Sequence, residues 1–181
     1  MQDSSSNPLP PTRWVVMGVS GAGKSEIGGR LAARLGLAYI EGDDCHTPGN
    51  VAKMAAGVAL DDADRLEWLQ ILEARIAAAR KSGASLVLSC SALKRRYRDL
   101  LRQGDPCLMF VYLAGERDLI ASRMQARSNH FMPLALLDSQ FRDLEPPQPD
   151  ERAIQVDIKD GPEELIDEVL QKFAASGTFK K

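Results

Sequence analysis

The chain has 181 residues, of which 27% are charged and 44% are hydrophobic, and its formal net charge is −2. This length suits one domain with a substantial core, and the lack of a basic excess argues against nucleic acid as a partner. No apolar run reaches the roughly 18 residues that would span a bilayer. Residues 1–12 also lack the basic start and apolar stretch of a signal peptide. We therefore expect a cytoplasmic protein with no membrane partner.

Within the chain, Ser and Pro residues near the start predict a disordered tail over residues 1–12. A single domain is expected over residues 13–176, followed by a loose C-terminus over 177–181. We found no internal repeat.

The chain has three cysteines, Cys45, Cys90 and Cys107. Their odd number and the absence of a CxxC spacing argue against a disulfide framework or a zinc site. Cys90 and Cys107 lie in or beside apolar runs and are predicted to be buried. With only two histidines, a histidine-rich metal site is excluded.

Five short apolar runs predict β-strands. Several are apolar nearly throughout, which is typical of strands buried on both faces of a parallel sheet. The predicted strands cover residues 14–19, 38–40, 86–90, 108–113 and 154–158. Helical patterns separate them at 27–35, 69–79, 93–102, 117–127 and from Pro162 onward. Asp61 or Asp62 is the predicted cap of the second helix, and Gly36 the predicted end of the first.

Alternating strands and helices predict a three-layer α/β/α domain with right-handed crossovers. Two stretches, 43–60 and 128–148, interrupt the alternation. Long irregular stretches in a small domain are often lids or binding loops. Plain surface loops are the alternative interpretation.

The strongest motif is an eight-residue segment that fits G-x-x-x-x-G-K-[ST] in full, between a predicted strand and a predicted helix. We call it the phosphate loop; its residues are Gly18, Val19, Ser20, Gly21, Ala22, Gly23, Lys24 and Ser25. Its glycines permit backbone geometry that turns N–H groups toward phosphate oxygens. Lys24 is expected to reach the β- and γ-phosphates and the Ser25 hydroxyl to coordinate Mg²⁺. The motif therefore predicts binding of ATP with Mg²⁺.

The phosphate loop alone does not select a reaction. No guanine-reading N-K-x-D motif occurs, which argues against a GTPase. The strand at 86–90, expected to be central, ends without a carboxylate. Asp43, just after the second strand, is therefore the candidate to face both Mg²⁺ and an acceptor hydroxyl. A turn or helix-cap aspartate is the alternative.

Further blocks follow the phosphate loop in a fixed order. They are GDDCH (42–46), NVAKMAAG (50–57), LDDADRLEWL (60–69), CSALKRRYRDLL (90–101), RMQARSNHFM (123–132) and LDSQFRDLEPP (137–147). With these blocks the chain resembles bacterial-type gluconokinases of the P-loop class, related in fold to shikimate and adenylate kinases. Ala59, Glu67 and Asn129 depart from the family pattern, and none of these departures removes a charged group.

The resemblance implies a P-loop kinase fold with a five-stranded parallel sheet, a mobile lid over about 123–140 and a small substrate-binding helical segment over about 43–65. It implies ATP-dependent phosphorylation of D-gluconate to 6-phospho-D-gluconate, and a homodimer by analogy. A shikimate-type kinase, a nucleotide-binding regulatory switch and a nucleic-acid ATPase are the competing interpretations, and the net charge argues against the last.

Gluconate presents a carboxylate, which favours Arg or Lys partners. The candidate substrate-binding residues are Asp43, His46, Lys53, Arg65, Lys94, Arg98 and His130. Lys94 and Arg98 lie four apart on one predicted helix and are expected to point at the same anion. A solvated basic face is the alternative interpretation of this pair.

The candidate catalytic residues are Lys24, Asp43, Arg123 and Arg127. Asp43 is expected to orient the acceptor hydroxyl and take its proton late, and to share Mg²⁺ with Ser25. In related kinases, arginines placed like Arg123 and Arg127 belong to a lid that neutralises the transferring phosphoryl and excludes water. Favourable charges at a helix C-terminus are the alternative. Residues 159–162 are weaker candidates for adenine contacts.

Overall fold

The computed structural model describes residues 10–126 and 134–176, and its core is a five-stranded sheet. The strands are β1 (Arg13–Met17), β2 (Ala38–Glu41), β3 (Leu86–Ser89), β4 (Met109–Ala114) and β5 (Ala153–Asp157). All neighbouring strands are parallel, in the order β2-β3-β1-β4-β5. The predicted parallel sheet is thus confirmed. However, β1 occupies the centre, whereas the sequence led us to expect residues 86–90 there.

Seven helices surround this sheet within the described residues. They are α1 (Lys24–Leu35), α2 (Pro48–Ala55), α3 (Asp62–Ser82), α4 (Arg95–Gly104), α5 (Arg117–Ala126), α6 (Leu134–Asp143) and α7 (Pro162–Ala175). α2 and α6 lie in the two stretches that the sequence pattern marked as irregular. A short 3₁₀ turn, Gly42–Cys45, joins β2 to α2. None of the helices in the described part of the chain is long and apolar enough to cross a membrane.

Both faces of the sheet are buried, which gives three layers. Trp14 and Val16 of β1 pack against α1, α5, α6 and α7 on one face. Val15 and Met17 pack against α3 and α4 on the other face. Because side chains alternate along a strand, each strand supplies apolar residues to both cores. The carboxyl ends of the strands meet at one edge, where open α/β sheets bind ligands.

The start of α3 is fixed by a reciprocal cap. The Asp61 carboxylate accepts from the Asp64 N–H at 2.8 Å, and the Asp64 carboxylate accepts from the Asp61 N–H at 3.1 Å. Asp61, rather than Asp62, is therefore the N-cap. Because the Asp62 carboxylate takes no part in the cap, it can face α4.

Two of the cysteines were predicted to be buried, and only one of them is. Cys90 is buried as expected, whereas Cys107 is exposed and the prediction for it is wrong. β4 begins only at Met109, so Cys107 lies in the preceding turn, where its N–H donates to Asp105 at 2.9 Å.

Candidate active site

The phosphate loop connects β1 to α1 at the carboxyl edge of the sheet. Gly18 and Gly23 have φ angles of 149° and 98°, which side chains rarely tolerate. A Cβ on Gly18 would also lie 3.1 Å from the Leu113 carbonyl oxygen. No side chain caps α1 at Gly23. The N–H groups of its first turn are therefore available to an anion, and the helix dipole favours one there.

Lys24 and Asp43 share a cavity of about 330 Å³, which we call the central cavity. The other wall residues are Ser20, Gly21, Gly23, Ser25, Glu26 and Met124. Lys24 Nζ donates to the Val19 carbonyl at 3.2 Å. Burial lowers the pKa of Lys24, and the nearby carboxylate of Asp43 partly opposes that shift. The expected meeting of the phosphate loop with Asp43 is thus present in the geometry.

Glu41, the last residue of β2, is a site residue that the sequence reasoning missed. Its carboxylate accepts from the Ser89 hydroxyl and lies 2.8 Å from the Tyr39 hydroxyl. Partial burial acts to raise the pKa of Glu41, but hydrogen bonds from Ser25, Ser89 and Tyr39 outweigh it and lower the pKa. The available signal was an acidic residue at a strand's carboxyl end, two positions before Asp43.

A second space, the flanking hollow, shares Gly21, Gly23 and Glu26 with the central cavity and measures about 460 Å³. Residues 159–162, the start of α1 and Arg123 line it. Arg123 donates to the Ile158 carbonyl oxygen at 2.7 Å. Its expected position over the transferring phosphoryl is therefore not the observed one, because the end of β5 holds it in the hollow. The other two candidates on this segment, Arg127 and His130, lie outside the described residues.

His46 lies against Trp68, with ring centroids 4.1 Å apart and an interplanar angle of 18°. The Trp68 indole N–H donates to the Gly42 carbonyl at 2.7 Å, which fixes the turn that carries Asp43. His46 Nε2 is 3.9 Å from Asp43 Oδ1. Burial lowers the pKa of His46, so the imidazole is neutral near pH 7. Trp68 is buried in the core, and it also orders the site.

Arg65 is a candidate substrate-binding cation with no carboxylate partner among the described residues. The residue is only 7% exposed, and its Nε donates to the Leu60 carbonyl at 3.3 Å. Its guanidinium carbon lies 5.9 Å from the centre of the Tyr97 ring. Within residues 10–126 and 134–176, its two terminal nitrogens have no hydrogen-bond acceptor. A buried guanidinium with unused donors is well suited to a carboxylate ligand.

Lys94 and Lys53, in contrast, are already paired with carboxylates. Lys94 Nζ lies 3.1 Å from Asp62 and 3.2 Å from Asp143. It is also 5.8 Å from the centre of the Tyr97 ring, so Lys94 and Arg65 face one aromatic side chain. The Lys53 ammonium is 2.5 Å from Asp64 and is largely exposed.

Arg98 does not join this group, and the expectation that it points at the same anion as Lys94 was wrong. Its side chain is fully buried, with Nε and Nη2 donating to Glu151 at 2.6 and 2.9 Å. Nη1 donates to the Ala92 and Leu93 carbonyls. From their spacing of four residues, Lys94 and Arg98 were predicted to lie on one face of a helix. However, Lys94 is the N-cap of α4 and faces outward, whereas Arg98 is in the helix and faces inward.

This fold and cradle define a P-loop nucleotide-binding domain. A family model described as an AAA domain matches residues 14–147. The APS kinase of Mycobacterium tuberculosis superposes with a TM-score of 0.65 at 19% identity, covering 92% of this chain and 99% of that one, which supports the fold alone.

Several proteins that are more similar in sequence are gluconokinases. The thermosensitive gluconokinase of Escherichia coli is 47% identical over 80% of this chain and 78% of its own length. The gluconokinase of Gluconobacter oxydans is 44% identical over 92% and 94%, respectively. A crystal structure of a gluconokinase from Sinorhizobium meliloti has 44% identity and a TM-score of 0.84, covering 91% of this chain and 93% of that one. The chain belongs to the gluconokinase family, as the resemblance predicted.

Proposed function

We propose that this protein transfers the γ-phosphoryl group of ATP to the 6-hydroxyl of D-gluconate, giving 6-phospho-D-gluconate and ADP. The observation that carries the proposal is the central cavity, where Lys24 of the phosphate loop and Asp43 face one space. Arg65 and Lys94 both face the Tyr97 ring and supply positive charge for an acidic acceptor. Family membership supports the same reaction.

On the nucleotide side, the N–H groups of the phosphate loop and the first turn of α1 hold the phosphates. Lys24 offsets the charge that develops on the β- and γ-phosphate oxygens. The flanking hollow accommodates the adenosine end of ATP, with Arg123 and residues 159–162 in its walls. In this arrangement Arg123 acts on the nucleoside and not on the transferring phosphoryl.

The oxygen donors at the mouth of the phosphate loop fit Mg²⁺, which prefers hydroxyl, carboxylate and phosphate oxygens. Ser25 and Asp43 would hold the ion together with the ATP phosphates. The Glu41 carboxylate accepts a hydrogen bond from the Ser25 hydroxyl and so would orient this metal-binding side chain. When bound, Mg²⁺ supplies neutralisation of the phosphate charge.

On the acceptor side, Asp43 orients the gluconate hydroxyl and accepts its proton as the new O–P bond forms. The bond between the γ-phosphorus and the β–γ bridging oxygen breaks, and that oxygen leaves with ADP. His46, neutral and stacked on Trp68, offers a hydrogen bond to a substrate hydroxyl next to Asp43.

The carboxylate of gluconate is held chiefly by Arg65, because its terminal donors are unused by the described protein. Lys94 adds a second positive charge once the substrate carboxylate replaces Asp62 or Asp143 as its partner. Lys53 contributes from the exposed rim. A homodimer, expected from the family resemblance, and a cytoplasmic location, expected from the composition, stay predictions.

The test is a coupled ADP-release assay with Mg-ATP, comparing D-gluconate, shikimate, glycerate and no acceptor. ADP release is expected to rise only with gluconate. Asp43→Asn is expected to lower kcat by about 10²- to 10⁴-fold, because the general base is lost, while ATP binding is retained. If shikimate alone stimulated turnover, a shikimate-type kinase would replace the proposal. If ATP bound but no acceptor stimulated turnover, a nucleotide-dependent switch would replace it.

A further inference from the structure

A helix far along the sequence touches the phosphate loop directly. Gln140 lies in α6, and its side-chain oxygen accepts a hydrogen bond from the backbone N–H of Ser20 at 2.6 Å. The two residues are 120 positions apart in the chain. Within the described residues, no other side chain accepts from a backbone N–H of the phosphate loop. This contact therefore singles out one donor of the loop.

The oxygen of Gln140 is held in place by the packing of its helix. Leu137, one turn before it, is fully buried in the core on the α1 side of the sheet. Asp138 accepts from Arg117 Nε at 2.7 Å, which ties α6 to α5. Asp143, one turn later, lies 3.2 Å from Lys94. α6 is thus anchored on both sides of Gln140.

The chemistry of a carboxamide suits this position beside a phosphate site. Its neutral oxygen holds the Ser20 N–H without bringing a negative charge near the ATP phosphates. A carboxylate would accept the same hydrogen bond but would repel phosphate oxygens. The carboxamide nitrogen of Gln140 donates to no acceptor in the part of the chain that the structure describes. Only the carboxamide oxygen therefore makes a hydrogen bond there.

We infer that Gln140 is a positioning residue for phosphoryl transfer, which fixes the Ser20 side of the phosphate loop against α6. Ser20 lines the central cavity together with Lys24 and Asp43. The loop geometry around the transferring phosphoryl therefore depends on a helix that also carries Asp143, the partner of Lys94 on the acceptor side. This inference rests on the proposed function, since the loop is assigned to ATP in a kinase reaction.

The test compares steady-state kinetics of Gln140→Ala, Gln140→Glu and the matched control Ser139→Ala. Ser139 is the preceding residue of α6, and its hydroxyl donates only within the helix, to Leu136. Gln140→Ala is expected to lower kcat/KM for ATP by about 10-fold, the effect of one lost hydrogen bond. KM for gluconate and the melting temperature should stay near the wild-type values, and Ser139→Ala should match the wild type.

Gln140→Glu separates positioning from general packing. It keeps the acceptor oxygen, so the melting temperature should be unchanged, but its charge should raise KM for ATP by about 10-fold or more. The inference is overturned if all three variants match the wild type, or if Gln140→Ala lowers the melting temperature and raises both KM values alike. Failure of the proposed function would look different, because the wild-type protein itself would then show no gluconate-dependent ADP release.

Discussion

Two clusters of charged side chains are centred on Lys94 and Arg98, at the two ends of residues 94–98, and they differ in how deeply they are buried. The buried cluster is Arg98 with Glu151 and Arg102, where both Arg98 and Glu151 are almost fully enclosed. The open cluster is Lys94 with Asp62 and Asp143, which are partly exposed. In the buried cluster every guanidinium nitrogen of Arg98 already has an acceptor. In the open cluster, two partly exposed carboxylates hold a lysine that a ligand can reach.

The difference shows why position on a helix does not define a binding residue. A ligand carboxylate can replace Asp62 or Asp143 at Lys94, since the displaced carboxylate returns to water. It cannot replace Glu151 at Arg98, because that exchange would leave a buried charge without a partner. We therefore expect changes in the buried cluster to alter stability and changes in the open cluster to alter gluconate binding.

The largest expected effect comes from breaking the buried cluster. Arg98→Met leaves Glu151 with only part of its hydrogen bonds in a buried position, and should lower the free energy of unfolding by about 3–5 kcal/mol. Urea denaturation measures this loss. Molecules that remain folded should bind gluconate as the wild type does, with KM within about twofold.

A second change in the same cluster provides the control. Arg98→Met combined with Glu151→Leu removes both charges and should recover part of the lost stability, since no charge remains unpaired. Arg98 would return to the list of substrate-binding residues if Arg98→Met kept wild-type stability but raised KM for gluconate severalfold.

The next effect is the response of the buried cluster to acid. Burial acts to raise the pKa of Glu151, but hydrogen bonds from Arg98, the Gln148 N–H and Arg102 lower it to about 2 from its ordinary 4.5. Stabilisation by ionised Glu151 is therefore complete above about pH 4.5 and is lost as the pH falls toward 2. Between pH 7 and pH 3 the loss should be about 2 kcal/mol.

Denaturation at several pH values, with Glu151→Gln as the test variant, measures this contribution. The variant should be less stable at pH 7 but should lose less stability on acidification than the wild type. Asp99→Asn removes an exposed carboxylate of α4, the helix that carries Arg98, and should keep the wild-type pH dependence. Equal acid sensitivity of Glu151→Gln and the wild type would contradict the assignment.

The two clusters also show which parts of the fold and the site could be predicted from the sequence. The strands were placed within two residues, because burial on both faces produces continuous apolar runs. The phosphate loop was found by its motif. α2 was missed because only Asn50 of its residues is buried, which leaves no apolar stripe. The error at Arg98 arose because spacing gives a face of a helix but not its depth, and its partner Glu151 lies 53 residues away.

Of the three site residues that sequence reasoning missed, Gln140 and Asp62 depend on tertiary contacts. Glu41 could have been noticed as an acid at the end of a strand. Gln140 had no local signal, since its partner Ser20 is brought to it only by the packing of α6. Asp62 was considered only as a cap, and its contact with Lys94 follows from the way α3 meets α4.

The smallest expected effects lie in the open cluster. Lys94→Ala removes one positive charge from the acceptor side, and should raise KM for gluconate by about 10-fold with little change in stability. Lys53→Ala, at the exposed rim, should raise it only about two- to threefold, because an exposed ion pair contributes little. Steady-state kinetics with varied gluconate at saturating ATP measures both, and KM for ATP serves as the internal control. A loss of stability in Lys94→Ala as large as that in Arg98→Met would remove the distinction between the clusters. A larger effect from Lys53 than from Lys94 would instead move the carboxylate site from the Tyr97 side toward α2.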